Sequence, residues 1–264
     1  MIDVHCHLNF RAFEKDYDDV IRKAFKDGVK KIINVGTSIE SSQKAVDLAK
    51  KYENLYAIVG VHPHHSDKIE RDWVQDLEKL AKNPKVVAIG ECGLDYYSYK
   101  SNAIVDPKIQ KEVFIKQIEL SLKLKLPLQI HNRHAGDDII EILKDYKSKL
   151  LDPPGMFHCI SGDIPLLKKV LDLGFYVGFD GNITYEGIAK GEDTPLSELV
   201  EYAPLDRIVT ETDSPFLTPE PYRGRRNVPS CVIIVGKFIA KIKGKTFEEI
   251  DRQTNRNALA IFKL

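Results

Sequence analysis

The sequence predicts a closed (β/α)8 TIM barrel, an α/β fold of one domain, and three observations carry that prediction. Short β-branched apolar runs alternate with segments of helical spacing along the whole chain. Side chains able to ligate a metal sit at the C-terminal ends of those runs, the rim where barrel enzymes build their sites. The length of 264 residues is close to the ~250 that such a barrel takes as a single domain.

In chain order, strands are expected at Ile2–His5, Lys31–Val35, Leu55–Val61, Val86–Gly90, Leu126–His131, Gly155–His158, Phe175–Phe179 and Arg207–Glu211. The clearest helix is Asp106–Leu124. Asp106 suits an N-cap, Pro107 the first helical position, and Ile109, Val113, Phe114, Ile118 and Leu122 fall on one apolar stripe. Asp18–Lys26, Ser41–Lys51, Asp72–Lys82, Gly136–Tyr146 and Asp163–Leu173 read as further helices. Ser230–Ile242 stops at Gly244, and Thr246 with Glu249 forms a capping box for the last helix. Strict alternation with short connections requires parallel strands and right-handed crossovers. An open doubly wound sheet would want a Gly-rich phosphate turn after its first strand, where this chain has His5-Cys6-His7. No repeat or linker divides residues 1–264, which read as one domain.

Lys and Arg number 39 and Asp and Glu 39, so no net charge draws the chain toward polyanions, and phosphate recognition must be local. Met1 leads directly into the first strand, and no apolar stretch approaches the ~20 residues of a membrane helix. A cytoplasmic protein without membrane contact is expected. Cys6, Cys92 and Cys159 adjoin candidate ligands and read as small buried residues facing outward beneath the helices. Cys231 has no partner spacing, and the lack of CxxC excludes a cysteine-based zinc site.

His5 and His7 alternate along a strand, so both imidazoles face the same way. Glu91 ends an apolar run, where a buried carboxylate is costly unless paired or bound to a cation. His131, His158 and Asp213 end or follow three more runs. On a parallel barrel all six converge on one rim, the pattern of a metal-dependent hydrolase.

The segments Val4-His5-Cys6-His7-Leu8, Gly60-Val61-His62-Pro63-His64, Gly90-Glu91-Cys92-Gly93-Leu94-Asp95-Tyr96 and His131-Asn132-Arg133 resemble the TatD-related DNase family. So do His158-Cys159-Ile160-Ser161-Gly162, Glu211-Thr212-Asp213-Ser214-Pro215 and Arg223-Gly224-Arg225-Arg226-Asn227-Val228-Pro229. The resemblance implies a barrel deoxyribonuclease in which His5, His7, Glu91 and Asp213 hold one divalent metal. Glu91 bridges to a second, completed by His131 and His158. Glu91 fills the place of the carboxylated lysine found elsewhere in the superfamily. Asn9 stands where many relatives carry Asp, and His134 where an acidic residue is common, which leaves substrate preference open.

Phosphodiester hydrolysis needs an activated water and neutralised phosphoryl oxygens, which two cations can supply. Mg, Mn and Zn all remain open, since imidazole favours the softer ions. Asp213 is the expected base, with Glu91 and His62 in the catalytic set and His62 on the phosphate or leaving oxygen. Arg133, His64, Tyr96, Arg223 and Arg225 are the expected substrate contacts: guanidinium matches phosphate, and a tyrosine can stack on a base. Arg226 completes the basic cluster. The expected substrate is DNA, single-stranded or at ends, digested 3′ to 5′ by a monomer without sequence specificity. Alternatives are a hydrolase of small phosphoesters, lactones or amides, or an aminoacyl-tRNA deacylase. The basic rim argues for a polyanion. A scaffold that has lost catalysis would not need all six ligand types.

Overall fold

A computed structural model describes residues 1–99, 103–188 and 192–264. Its strands are β1 (Ile2–Cys6), β2 (Lys31–Val35), β3 (Leu55–Val59), β4 (Val86–Asp95), β5 (Leu128–Arg133), β6 (Gly155–Phe157), β7 (Tyr176–Phe179) and β8 (Ile208–Thr210). They pair in sequence order, each parallel to the next, in one eight-stranded sheet. The sheet curls until its ends meet. His7 N donates to Ser214 O at 2.7 Å and Asp213 N to His5 O at 2.9 Å, joining β1 to the chain just past β8. This is the TIM barrel expected from the alternation.

The helices are α1 (Tyr17–Lys26), α2 (Ile39–Ala49), α3 (Trp73–Ala81), α4 (Pro107–Leu124), α5 (Gly136–Asp145), α6 (Ile164–Asp172), α7 (Leu196–Tyr202), α8 (Val232–Lys243) and α9 (Phe247–Phe262). Asp106 caps α4 through its bond from Lys108 N. Thr246 and Glu249 form the capping box of α9, a device whose N-cap contributes about 1 kcal/mol. Among the described residues, no helix is long and apolar enough to cross a membrane.

Two apolar clusters hold the barrel. The larger lies between sheet and helices and includes Phe13, Phe114, Phe157 and Leu167. The smaller joins Val4, Ile33, Ile58, Val87, Met156 and Val209, residues of strands around the barrel that meet only through its interior. Ala258, Ile261 and Phe262 of α9 belong to this inner cluster. Asn257 of α9 donates to the carbonyls of Leu205 and Ile208 at the start of β8, so α9 closes the N-terminal end of the barrel.

Four details differ from the sequence expectation. Strand β4 runs on to Asp95, so Glu91 lies within the strand and not after it. Helix α7 was not foreseen, being only seven residues long. Ile109 is 38% exposed, because α4 turns Gln110 and Gln117 to the sheet beside Val113 and Phe114. Cys159 follows β6 with φ of 45° and lines the rim cavity, whereas Cys6 and Cys92 do face the helices.

Of three register irregularities in the sheet among the described residues, one lies between Ala57 and Ile58 away from the site, and the other two fall where ligand-type residues sit. Of these two, one lies between Asp3 and Cys6 in the β1–β2 ladder, the other between Ile89 and Cys92 in β4–β5. An extra residue resets the alternation of faces, as bulges beside active sites do. Val4 thus joins the inner cluster and Cys6 the outer, which leaves His5 and His7 on the axis side.

Candidate metal centre

His5 and His7 bring their Nε2 atoms to 3.0 Å of each other at the end of β1. His7 Nδ1 lies 2.9 Å from Val35 O, which can only accept, so Nδ1 carries the proton and Nε2 offers a lone pair. Asp213 Oδ1 stands 3.5 Å from His5 Nε2 and 3.4 Å from His7 Nε2. Glu91 Oε2 lies 3.7 and 3.8 Å from the same two nitrogens. Ligand atoms ~2.1 Å from one ion are spaced by about 3.0–3.4 Å. These four atoms fit one cation with little movement.

The other oxygen of Glu91 faces a second group. Oε1 is 2.9 Å from His131 Nδ1 and 3.8 Å from His158 Nε2. His131 Nε2 donates to Asp95 Oδ2 at 3.1 Å, which leaves its Nδ1 lone pair pointing at Glu91. Two lone-pair atoms 2.9 Å apart require positive charge between them, a proton or a cation. His158 Nδ1 lies 3.1 Å from Glu211 Oε1, a carboxylate beside this ring as Asp95 is beside His131. Its ring stacks on His5 at 3.6 Å between centroids.

The electrostatics agree with a cation-binding cavity. Burial pushes His5 well below its ordinary value, with His158 adding to the effect. Burial also opposes charge on His131 and His158, yet Asp95 and Glu91 lift the first to about 9 and Glu211 the second to about 10. Glu91 loses hydration through burial but is held well below the carboxylate range by His62, His131 and His5. The carboxylates therefore call for positive charge, which a cation held by these residues would supply in place of those protons.

His62 behaves differently. Its Nδ1 accepts from His64 N at 3.1 Å, so the neutral ring carries its proton on Nε2, 3.6 Å from Glu91 Oε1. His62 is a donor into the cavity. Although His62, Asp95 and His131 also bring ligand atoms within 4.8 Å, the His62 lone pair is already taken by that backbone N–H.

The cavity over these groups has a volume of about 590 Å³ and is lined on one side by His64, Lys68, Tyr99 and Arg133. His64 Nε2 and Tyr99 Oη each reach Asp95 Oδ2 at 3.1 Å. Arg133 lies over the Tyr97 ring at 5.0 Å, with its Nε buried and unpaired among the described residues. Tyr96 is drawn away from the cavity, because its hydroxyl donates to Asp138 at 2.7 Å; Tyr99 reaches the site instead. Arg223 and Arg225 stay exposed on the loop after β8, beside Tyr185 and Tyr222, and neither lines the cavity. Arg226 grips Asp16 at 2.9 and 2.6 Å, which makes it a structural ion pair. Asn9 donates to Val35 O, Ser41 O and Ser41 Oγ, and an Asp at this place could not donate to the two carbonyls.

Asp95, Glu211 and Asp180 join the site without any signal in the sequence pattern. Asp180 is fully buried, and burial beside Glu211 and Asp213 pushes its carboxyl up to about 8. Asp213, Cys159 and Leu217 around the mouth adopt φ of 52°, 45° and 51°. Left-handed non-glycine residues store strain of order 1 kcal/mol each, a feature that gathers at functional sites.

A barrel whose C-terminal rim gathers four histidines and two carboxylates around shared lone pairs defines the class of metal-dependent barrel hydrolases. The family model described as TatD related DNase matches residues 2–263, and the chain belongs to that family. An uncharacterized metal-dependent hydrolase of Bacillus subtilis (strain 168), YabD, is 38% identical over 265 residues, covering 100% of this chain and 99% of its own. The 3′-5′ ssDNA/RNA exonuclease TatD of Erwinia tasmaniensis is 35% identical over 269 residues, covering 100% of both chains. The crystal structure of YjjV, a TatD homologue from Escherichia coli K12, shares the fold with a TM-score of 0.89 at 28% identity, covering 100% of this chain and 98% of that one.

Proposed function

We propose that this protein is a nuclease that hydrolyses phosphodiester bonds from the 3′ end of single-stranded nucleic acid, with two divalent cations held by His5, His7, Glu91, Asp213, His131 and His158. The observation that carries the reading is the division of Glu91: Oε2 faces His5 and His7 while Oε1 faces His131 and His158. Bound there, divalent cations neutralise charge building on a phosphoryl group and acidify a water. The names of the exonuclease relatives support the choice of nucleic acid and the direction.

The chain's own groups supply the rest. Asp213, held at the mouth with φ of 52°, accepts the proton of the attacking water. His62 donates its Nε2 proton toward the phosphate or the departing oxygen. Arg133 offers a planar guanidinium to a neighbouring phosphate oxygen, with Lys68 adding charge on the same wall. These groups meet the phosphate and not the base edges, so digestion proceeds without regard to sequence.

End-labelled single- and double-stranded DNA incubated with Mg²⁺, Mn²⁺ or Zn²⁺ tests the reading. Wild type shortens the single strand from its 3′ end, and Glu91→Ala abolishes the ladder. Asp213→Asn, which suits the left-handed backbone equally well, retains metal but loses ~10²–10⁴-fold in turnover. Intact DNA in every metal, with both ions bound, contradicts the proposal.

A further inference from the structure

We infer that Phe216, with Phe10 beside it, forms a stacking subsite for the unpaired base next to the scissile phosphate. The inference rests on the nuclease reading above and deepens it.

The cavity has two unlike walls. One, from the loop after β3 and the end of β5, carries His62, His64, Lys68 and Arg133 and suits an anionic backbone. The opposite wall, from the loops after β1 and β8, is aromatic. Phe10 stacks on the ligand-type His7 at 4.3 Å and 12° between ring planes. Phe216 stands edge-on to both, 6.3 Å from Phe10 and 6.4 Å from His7. The aromatic surface therefore begins at the group proposed to hold the cation and extends outward from it.

Phe216 is 52% exposed, and its backbone is anchored. Its N–H donates to Asp213 O at 2.8 Å, and its carbonyl accepts from the buried Asn227 amide at 2.6 Å. Asn227 also holds Thr212 O at 2.8 Å, tying this turn to the strand end that carries Asp213. Leu217 follows with φ of 51°. The backbone that carries this exposed ring is thus held to Asp213 by three residues of pinned chain, and the ring lines the cavity.

A flat apolar-faced group joined to an anion fills such a cavity, and a nucleotide at a strand end has that form. A base inside a duplex presents only its edges, so occupation of this wall requires an unpaired end. Stacking accepts any base, because every base has a π-face, which agrees with digestion that ignores sequence.

The test compares wild type with Phe216→Ala on two single-stranded oligonucleotides of equal length. One ends in thymidine; the other ends in a tetrahydrofuran residue that keeps the backbone and lacks the base. Wild type cleaves the thymidine end about 5- to 150-fold better, the equivalent of the ~1–3 kcal/mol per stacked base, and Phe216→Ala removes most of that preference. Binding offers a second readout. Fluorescence of Phe216→Trp, corrected for the buried Trp73, is quenched by phosphorothioate oligothymidine and not by the same backbone without bases. Full discrimination in Phe216→Ala, or none in wild type, overturns the subsite while the nuclease stands. If wild type cleaves neither oligonucleotide yet hydrolyses other esters, the nuclease reading falls and the subsite with it.

Discussion

Asp95 accepts from four directions, with Oδ2 taking His131, His64 and Tyr99 and Oδ1 taking the Tyr97 amide. It thereby fixes which nitrogen of His131 faces Glu91. Outer-shell carboxylates of this kind change metal affinity by ~10–100-fold. Asp95→Asn is therefore expected to weaken the ion at His131 and His158 by about that factor and to spare the ion at His5 and His7. Manganese titration followed by electron paramagnetic resonance separates the two; equal weakening of both contradicts the assignment. The proposed ligands were legible because each ends an apolar run where a polar residue needs a reason. Asp95 was not, since Glu91 and Gly93 make the run look finished at Gly90. Once β4 is extended to Asp95, alternation places Tyr96 on the far side, which is where Asp138 holds it.

Helix α4 shows how an element can carry its information in polar residues. Gln110 pairs with both the N–H and the carbonyl of Asp95, at 2.8 and 2.9 Å. Gln117, two turns on, does the same for Val61, at 2.8 and 2.9 Å. Both side chains are fully buried and stand in for a neighbouring strand where β3 and β4 run out of partners. Gln117→Leu strands one donor and one acceptor, each costing about 1–3 kcal/mol, so a loss of roughly 2–6 kcal/mol is expected in urea unfolding. A change under about 0.5 kcal/mol shows that water replaces the amide. The helix itself was readable from Asp106-Pro107 and its apolar positions. Its rotation was not, because an amphipathic pattern assigns glutamine to solvent. The register irregularities at His5 and Glu91 were equally hidden, since they are set by pairing between strands and leave no mark on either strand alone.

At the scale of the molecule, the alternation of elements was enough to predict the barrel, because parallel strands with short crossovers leave few other closures. The barrel then does one thing for function: it brings the ends of β1, β4, β5, β6 and β8 to a single carboxylate, Glu91, approached from both sides. On the proposed function, nucleic-acid hydrolysis needs both sides filled. Titrating manganese into chelator-stripped protein while measuring mononucleotide release from a single-stranded oligonucleotide decides this. Little release is expected up to one ion per chain, a rise toward full activity by the second, and none in Glu91→Ala at any ratio. Full activity at one ion per chain, or intact oligonucleotide with two ions bound, contradicts it.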